Sequence, residues 1–420
     1  MSVDGTLLLV LPVPFRRDAN GELMFEAQAC NGLDRWADNF ARIVVACPVL
    51  PGVWREGAAS TSAGYLPTRA IAARDRIEFV ELPAAYTLLQ FTRHMTATKR
   101  LLAGKISEAT YLSFAIGGLF GDWGAVAATV ASSLDRRYSV WTDRVEHRVV
   151  KTAHQDARGL RRVVRQLKNN LVVSPLMRRL ELRVIRRAQL GLFHGRDCFD
   201  AYAPHCRNAH LVHDIHLKSR DRIDDGELRV KQRRREGRSP LKIVYAGRAA
   251  EMKGVLDWIE ALAELARLGV AFDAVWMGDG PLLDEARAAI SGAAGLASTV
   301  QMLGNVDDRV RVLAALRDAD LFVFCHKTPE SPRCLIEALM SGTPIVGYDS
   351  AYPRDLLGSR ADDCLVPVNE PHALARRIAS FAEDRSRLCD WFATAADIGS
   401  HFSDDAVFRH RSELIKQHLP

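Results

Sequence analysis

Four charged side chains in the second half of this 420-residue chain are spaced as a binding site would need them. In "GRAAEMKG" (247–254), Arg248 follows an apolar, β-branched run, and Lys253 stands five residues on, where the next helix opens. Gly247 and Gly254 let the backbone approach a ligand closely. The helix N-terminus adds free N–H groups and a positive dipole. A guanidinium and an ammonium so placed suit a diphosphate; two surface cations on a loop are the plainer alternative. In "HKTPESPRCLIEALMSGTPIVGYDS" (326–350), Glu337 sits within an apolar helical run, with Glu330 seven residues upstream. A buried carboxylate is costly unless hydrogen-bonded, so Glu337 either reaches water or meets a ligand with paired hydroxyls. Glu330 is either a loop acid or an acceptor for sugar hydroxyls. Backbone N–H groups at Arg333 and Cys334, with Leu335 beside them, open this helix and suit a phosphate.

Two Gly-containing loops, "MGDGP" (277–281) and "LGNVDD" (303–308), end consecutive strand candidates. Such loops are common between strand and helix. Together, Gly278, Gly304, Asn305 and Val306 would wall a slot for a flat base, bonded through backbone groups.

The elements that must carry these residues alternate. "LKIVYAG", "FDAVWMG", "VQMLG", "DLFVFC" and "PIVGYD" read as short strands, each followed by a helix or loop. Val255, Ile259, Leu262 and Leu265 keep a near-helical period that closes on Gly269. That alternation specifies an α/β fold with a parallel, doubly wound sheet. The first half repeats the rhythm less cleanly, in "TLLLVLP", "RIVVACPV", "RIEFVELP", "TYLSFAI", "YSVWTD", "LGLFHG" and "AHLVH". The expected organisation is a Rossmann-like acceptor domain over 1–215, a charged linker over 216–240 and a Rossmann-like donor domain over 241–398. A last helix over 399–420 is expected to pack back on the first domain. Ligands of open α/β sheets bind outside the carboxyl ends of the strands, so the cleft between two such domains is the expected site.

The set "GRAAEMKG", "GDGP", "LGNV" and "ESPRCLIEALMSGTPIVG" resembles retaining glycosyltransferase family four, the group 1 nucleotide-sugar enzymes of the GT-B fold. The resemblance is strong from about 241 to 370 and only architectural over the first 215 residues. It implies two Rossmann-like domains facing a central cleft. It implies that Arg248 and Lys253 hold the donor diphosphate as it departs, with no divalent metal or other cofactor required. Glu337 would accept from the ribose and Glu330 from the donor sugar. The sequence departs from the pattern in three places. The two glutamates are seven positions apart instead of eight, with "SPRC" where glycines are usual, and Pro332 has no N–H. "PFRRDANGELMF", with Gly21, replaces an N-terminal Gly-Gly loop. Where the family often has a histidine after a middle strand of the first domain, "YSVWTDRVEH" offers Asp143 and, four residues later, His147. Either would orient acceptor or donor hydroxyls; a loop acid and a surface histidine are the alternatives.

Composition limits the rest. The chain is 48% hydrophobic and 26% charged, as for an ordinary globular protein. The opening "MSVDGTLLLVLPVPF" lacks a basic n-region and reads as a strand, not a signal peptide. "LSFAIGGLFGDWGAVAATVASSL" (112–134) is interrupted by Asp122 and glycines, and reads as strand, turn and Ala-rich helix instead of a membrane span. The eight cysteines form no CxxC and fit a reduced, cytoplasmic compartment. "HLVHDIHL" spaces His210, His213 and His216 by threes, read as strand-end and hinge residues and not a metal set. Residues 151–190 hold eleven Lys or Arg and two acids, so the net charge of +6 is local, which disfavours nucleic acid as partner. Arginines there alternate with Leu, Val and Ile, so 158–187 is expected either to touch an anionic membrane at its inner face or to pack on the first domain. The expected activity is metal-independent, retaining transfer of a sugar from a nucleoside diphosphate to a saccharide or lipid-linked oligosaccharide in surface or exopolysaccharide synthesis. A phosphorylase, a nucleotide-sugar epimerase and a silent nucleotide-sugar-binding subunit are the competing readings.

Overall fold

The computed structural model describes residues 3–54, 64–152, 169–213, 215, 217–235, 239–328 and 331–419. The chain divides into two compact units, Met1–His216 with Asp404–Pro420, and Leu217–Ser403.

In the first unit the strands are β1 (Thr6–Val10), β2 (Phe15–Arg17), β3 (Leu23–Glu26), β4 (Arg42–Val53), β5 (Tyr65–Pro67), β6 (Ile77–Pro83), β7 (Tyr111–Ala115), β8 (Ser139–Thr142), β9 (Leu190–His194) and β10 (Ala209–Val212). Among the described residues they form one sheet, ordered β10-β9-β8-β7-β1-β4-β2-β3-β5, with β6 also on β4. The pairings from β10 through β4 to β6 are parallel. Both faces are covered, which is why the strands read as continuous apolar runs. Leu8, Val44, Leu112, Phe114 and Val140 lie in one core layer, and Leu7, Leu9, Ile43, Val45 and Leu192 in the other.

The sequence signal missed β2, β3 and β5. "PFRRDANGELMF" folds as the antiparallel β2–β3 pair, with Gly21 at φ +78° in its turn. Strands of three or four residues are too short to show a period of two. The stretch 112–134 folds as expected, into β7, a turn and the helix Trp123–Ser133. Asp122 caps that helix, its carboxylate accepting from the N–H groups of Ala125 and Gly117 at 2.8 and 3.0 Å. The last helix, Asp404–His418, packs against Ala27–Ala37, with Phe408 against Trp36 at 5.1 Å between ring centroids.

The second unit holds β11 (Leu241–Ala246), β12 (Phe272–Met277), β13 (Val300–Gly304), β14 (Leu321–Phe324), β15 (Ile345–Tyr348) and β16 (Leu365–Val366). All pairings are parallel, in the order β13-β12-β11-β14-β15-β16. This is the Rossmann order 3-2-1-4-5-6, and its direction reverses between β11 and β14. The helix Val255–Arg267 buries Val255, Trp258, Ile259, Leu262 and Leu265 on one stripe against the sheet.

The stretch 216–240, expected to be a linker, carries the helix Asp225–Arg235, which belongs to the second unit. Its composition shows no apolar face because a lysine supplies the buried contact. Lys231 is 2% exposed, donates to Thr343 Oγ1 at 2.6 Å and lies 4.7 Å from the Phe392 ring. Gln232 adds a bond to the carbonyl of Cys389 at 3.2 Å. A lysine stem can cover apolar surface that hydropathy patterns do not register.

Candidate functional site

The carboxyl ends of β11 and β14 flank the point where the strand order of the second unit reverses. A crevice must open there, because the helices following the two strands leave on opposite faces of the sheet. The loop after β11 carries Gly247, Arg248 and Lys253; the loop after β14 carries His326 and Lys327 and leads to the helix Arg333–Met340.

Glycine holds these loops together. Gly254 has φ +64°, and a Cβ there would stand 2.1 Å from the carbonyl oxygen of Cys325. The two strand ends therefore approach as closely as backbone allows, with Lys327 N donating to the carbonyl of Met252 at 2.9 Å. A Cβ at Gly278 would meet the carbonyl oxygen of Gly247 at 2.0 Å, which fixes the β12 loop against the β11 loop. Gly247 N donates to Met277 O, and Ala249 N to Asp279 O, at 2.8 and 3.0 Å.

Arg248 is exposed, and its guanidinium bonds to no described residue. Lys253 is half-buried at the end of the turn Glu251–Lys253. Beneath it, His326 is 4% exposed, and its Nε2 lies 2.8 Å from Tyr245 Oη. Burial pushes the His326 imidazole well below its usual titration range, and the neighbouring charge of Lys253 pushes it further the same way. A neutral histidine under the two loops leaves the cationic character of the edge to Arg248, Lys253 and Lys327. Lys327 is in turn tethered, its Nζ 2.5 Å from Asp257 Oδ1, while Tyr348 Oη donates to Asp257 Oδ2 at 2.7 Å. The sequence reading passed over His326, Lys327 and Tyr245, although the position directly after a central strand was the available signal.

Glu337 is neither freely solvated nor sealed. Its side chain is 23% exposed, and Oε1 lies 3.7 Å from Nη1 of Arg309, whose Nη2 stands 3.7 Å from Asp221 Oδ2. The structure thus gives Glu337 a partner that the sequence did not suggest. Glu330 lies outside the described residues. Arg333 and Cys334 open the helix after Pro332. Leu335 departs from expectation: its side chain is fully buried, and its N–H donates to the carbonyl of Pro332 at 3.2 Å. Pro332 at the cap draws the first turn tight, and that bond occupies the Leu335 N–H.

The slot expected from the two Gly loops is partly self-satisfied. Gly278 N donates to Gly304 O at 2.7 Å, and Asn305 Nδ2 turns to Asp307 Oδ1 at 2.7 Å. The N–H groups of Asn305 and Val306 bond to no described residue and remain the donors on offer.

In the first unit, Asp143 and His147 follow β8 but differ in setting. Asp143 is exposed, 3.7 Å from Arg144. His147 is buried, its Nδ1 2.6 Å from Glu181 Oε2, which also accepts from Tyr202 Oη at 2.9 Å. Among the described residues no three His, Cys, Asp or Glu side chains gather as a metal set, and His216 lies outside them. No described helix is long and apolar enough to cross a membrane.

The family model described as glycosyl transferases group 1 matches residues 227–397. The chain is 28% identical over 269 residues to WcaL of Escherichia coli K12, assigned to colanic acid biosynthesis as a glycosyltransferase, covering 56% of this chain and 66% of that protein. It is 33% identical over 171 residues to the 2-deoxystreptamine N-acetyl-D-glucosaminyltransferase of Streptomyces fradiae, covering 39% of each. The solved structure of Anabaena HepE in complex with UDP superposes with a TM-score of 0.63 at 16% identity, over 98% of this chain and 99% of that one. Such a match speaks for the fold, and the fold is that of the GT-B enzymes.

Proposed function

We propose that this protein, whose residues 227–397 match the family model of the glycosyl transferases of group 1, is a retaining glycosyltransferase using a nucleoside-diphosphate sugar. The acceptor is a saccharide or lipid-linked oligosaccharide of surface or exopolysaccharide synthesis. The observation that carries the reading is the placement of Arg248, Lys253 and Lys327 at the switch point of the second sheet, locked by the contact of Gly254 with Cys325. Relatives assigned to colanic acid and amylovoran biosynthesis support the polysaccharide setting. The UDP and UDP-glucose complexes of HepE support a nucleotide-sugar donor.

The chemistry follows from charge. As the anomeric bond loosens, negative charge grows on the departing diphosphate, and Arg248 and Lys253 stabilise it where it develops. The cations make the diphosphate a better leaving group. Glu337 accepts from the ribose hydroxyls, and Glu330 from hydroxyls of the donor sugar. The N–H groups of Asn305 and Val306 meet the base. Departure and attack on one face of the sugar would retain the anomeric configuration.

A finer reading concerns the membrane. On the helix Ser174–Arg187 and the turn before it, Val172, Leu176 and Leu180 are exposed at intervals of four, so they share one stripe. Arg178, Arg179, Arg183, Arg186 and Arg187 line a groove of about 520 Å³ beside them. An apolar stripe flanked by arginines suits peripheral contact with an anionic bilayer. Residues 158–168 of the expected contact segment lie outside the described residues.

The test is product stereochemistry. The chain is incubated with UDP-, GDP- and ADP-glucose, and the sugar first released to water is followed by proton NMR. The α-anomer appearing first supports retention. The β-anomer appearing first rejects it, and absence of turnover on all three removes support for these donors.

A further inference from the structure

His147 leaves the carboxyl edge of the first sheet on the short helix Glu146–Thr152, and two other helices converge on it. Glu181 reaches it from the helix Ser174–Arg187 and Tyr202 from Gly195–Tyr202. Ser174 Oγ donates to the carbonyl oxygen of His147 at 2.6 Å, so backbone and ring are both held. Glu181 Oε2 lies 2.6 Å from His147 Nδ1 and accepts from Tyr202 Oη. The Glu181 side chain is 4% exposed, and its other oxygen is buried with no hydrogen-bond partner among the described residues.

A buried carboxylate of this kind is a poor way to stabilise a core. Apolar replacements of buried ion pairs are often neutral or stabilising. What a carboxylate does well is fix a histidine: it accepts from Nδ1–H, sets the tautomer and leaves Nε2 with its lone pair. The Nε2 atom of His147 bonds to no described residue. The surroundings are polar. Glu146 packs over Gly117, where a Cβ would lie 3.0 Å from its Cγ, and pairs with Arg144 at 3.2 Å. The charges of Glu181 and Glu146 act on Asp122, at the cap of the helix Trp123–Ser133, and that of Asp143 acts on Glu146.

We propose that Glu181 is a positioning residue that holds His147 in the Nδ1–H tautomer, so that Nε2 accepts a hydrogen bond from the hydroxyl that receives the sugar. This deepens the transferase reading above and rests on it for the identity of the hydroxyl. Tyr202 keeps Glu181 in place and is expected to matter less, because the carboxylate keeps its bond to the ring without it.

The experiment is ¹⁵N NMR of the full chain labelled at histidine, with the His147 signals identified by their loss in His147→Gln. The expected wild-type signature is a protonated Nδ1 and an unprotonated Nε2. Glu181→Leu should move His147 toward the Nε2–H form, while Tyr202→Phe should leave the tautomer in place. An Nε2–H tautomer in the wild type, or no change in Glu181→Leu, overturns the proposal. The same variants are assayed for hydrolysis of UDP-, GDP- and ADP-glucose, in which water takes the place of the accepting hydroxyl at Nε2. Glu181→Leu should lower kcat about tenfold or more, on the scale of lost support to a functional histidine, with KM for the nucleotide sugar unchanged. An unchanged kcat overturns the role in the reaction. A wild type that turns over none of the three sinks the transferase reading for these donors, and the spectra still decide whether Glu181 sets the tautomer.

Discussion

Glu337 and Arg309 face each other at 3.7 Å, with the glutamate largely covered and the arginine half exposed. That distance exceeds a hydrogen bond, and exposed pairs of this kind contribute roughly 0–1 kcal/mol. The pair therefore holds the carboxylate in place without saturating it, and ribose hydroxyls can take over from the guanidinium. Glu337→Ala should weaken nucleotide binding about tenfold or more, whereas Arg309→Ala should change it less than threefold. Titration calorimetry of both variants checks this; equal losses would place Arg309 itself on the ligand.

Gly254 gives a sharper test of the loop architecture. Gly254→Ala puts a methyl against the Cys325 carbonyl at a positive φ, so one of the two loops must move. A strained backbone position costs about 1–3 kcal/mol, and the clash adds to it. Gly269 also has a positive φ, +76°, but open space around it. Gly269→Ala should lower Tm slightly and spare nucleotide binding, while Gly254→Ala should lower Tm further and abolish binding. Thermal melts with and without UDP measure both.

Acid should act on two part-buried groups with opposite signs. Burial, with the charges of His194 and His410, pushes His213 down from 6.5 to about 4. The unfolded chain then takes up the proton first, so stability falls as pH drops through the window from 6.5 to 4. Burial pushes Asp122 up from 3.8 to about 6, so the folded chain takes up that proton first. Its contribution rises as pH drops from 6 to 3.8 and offsets the histidine. Relative to wild type, His213→Leu should reduce the loss of stability between pH 8 and 4.5 by roughly 2 kcal/mol. Urea melts at the two pH values read this directly, and an equal loss in both proteins would contradict it.

Arg411 anchors the last helix through aromatic faces. It is 3% exposed, its guanidinium 5.0, 5.1 and 5.3 Å from the rings of Trp36, Trp141 and Phe408. A desolvated cation over a ring contributes about 2 kcal/mol, and lysine lacks the planar stacking surface. Arg411→Lys should destabilise the first unit by about 1–2 kcal/mol while sparing nucleotide binding, as a urea melt and calorimetry would show.

The second unit was legible because its strands are short apolar runs ending in Gly or charge, and because Arg248 and Lys253 lie within one loop. Glu337 was legible as a carboxylate out of place, but not its approach to Arg309, since nothing local links them. The same holds for His147, whose partner Glu181 is 34 residues away on another helix. The helix Asp225–Arg235 was hidden because its buried contact is a lysine. Short strands such as β2 and β16 follow from their neighbours and not from any pattern of their own.

The most direct measurement is calorimetric titration of the full chain with UDP, GDP and ADP, repeated on Lys253→Ala and Arg248→Ala. Saturable one-to-one binding of one nucleotide, weakened about tenfold or more by each substitution, is the result this account predicts. Binding that both substitutions leave unchanged would contradict it, because the diphosphate would then lie away from the edge where β11 and β14 part.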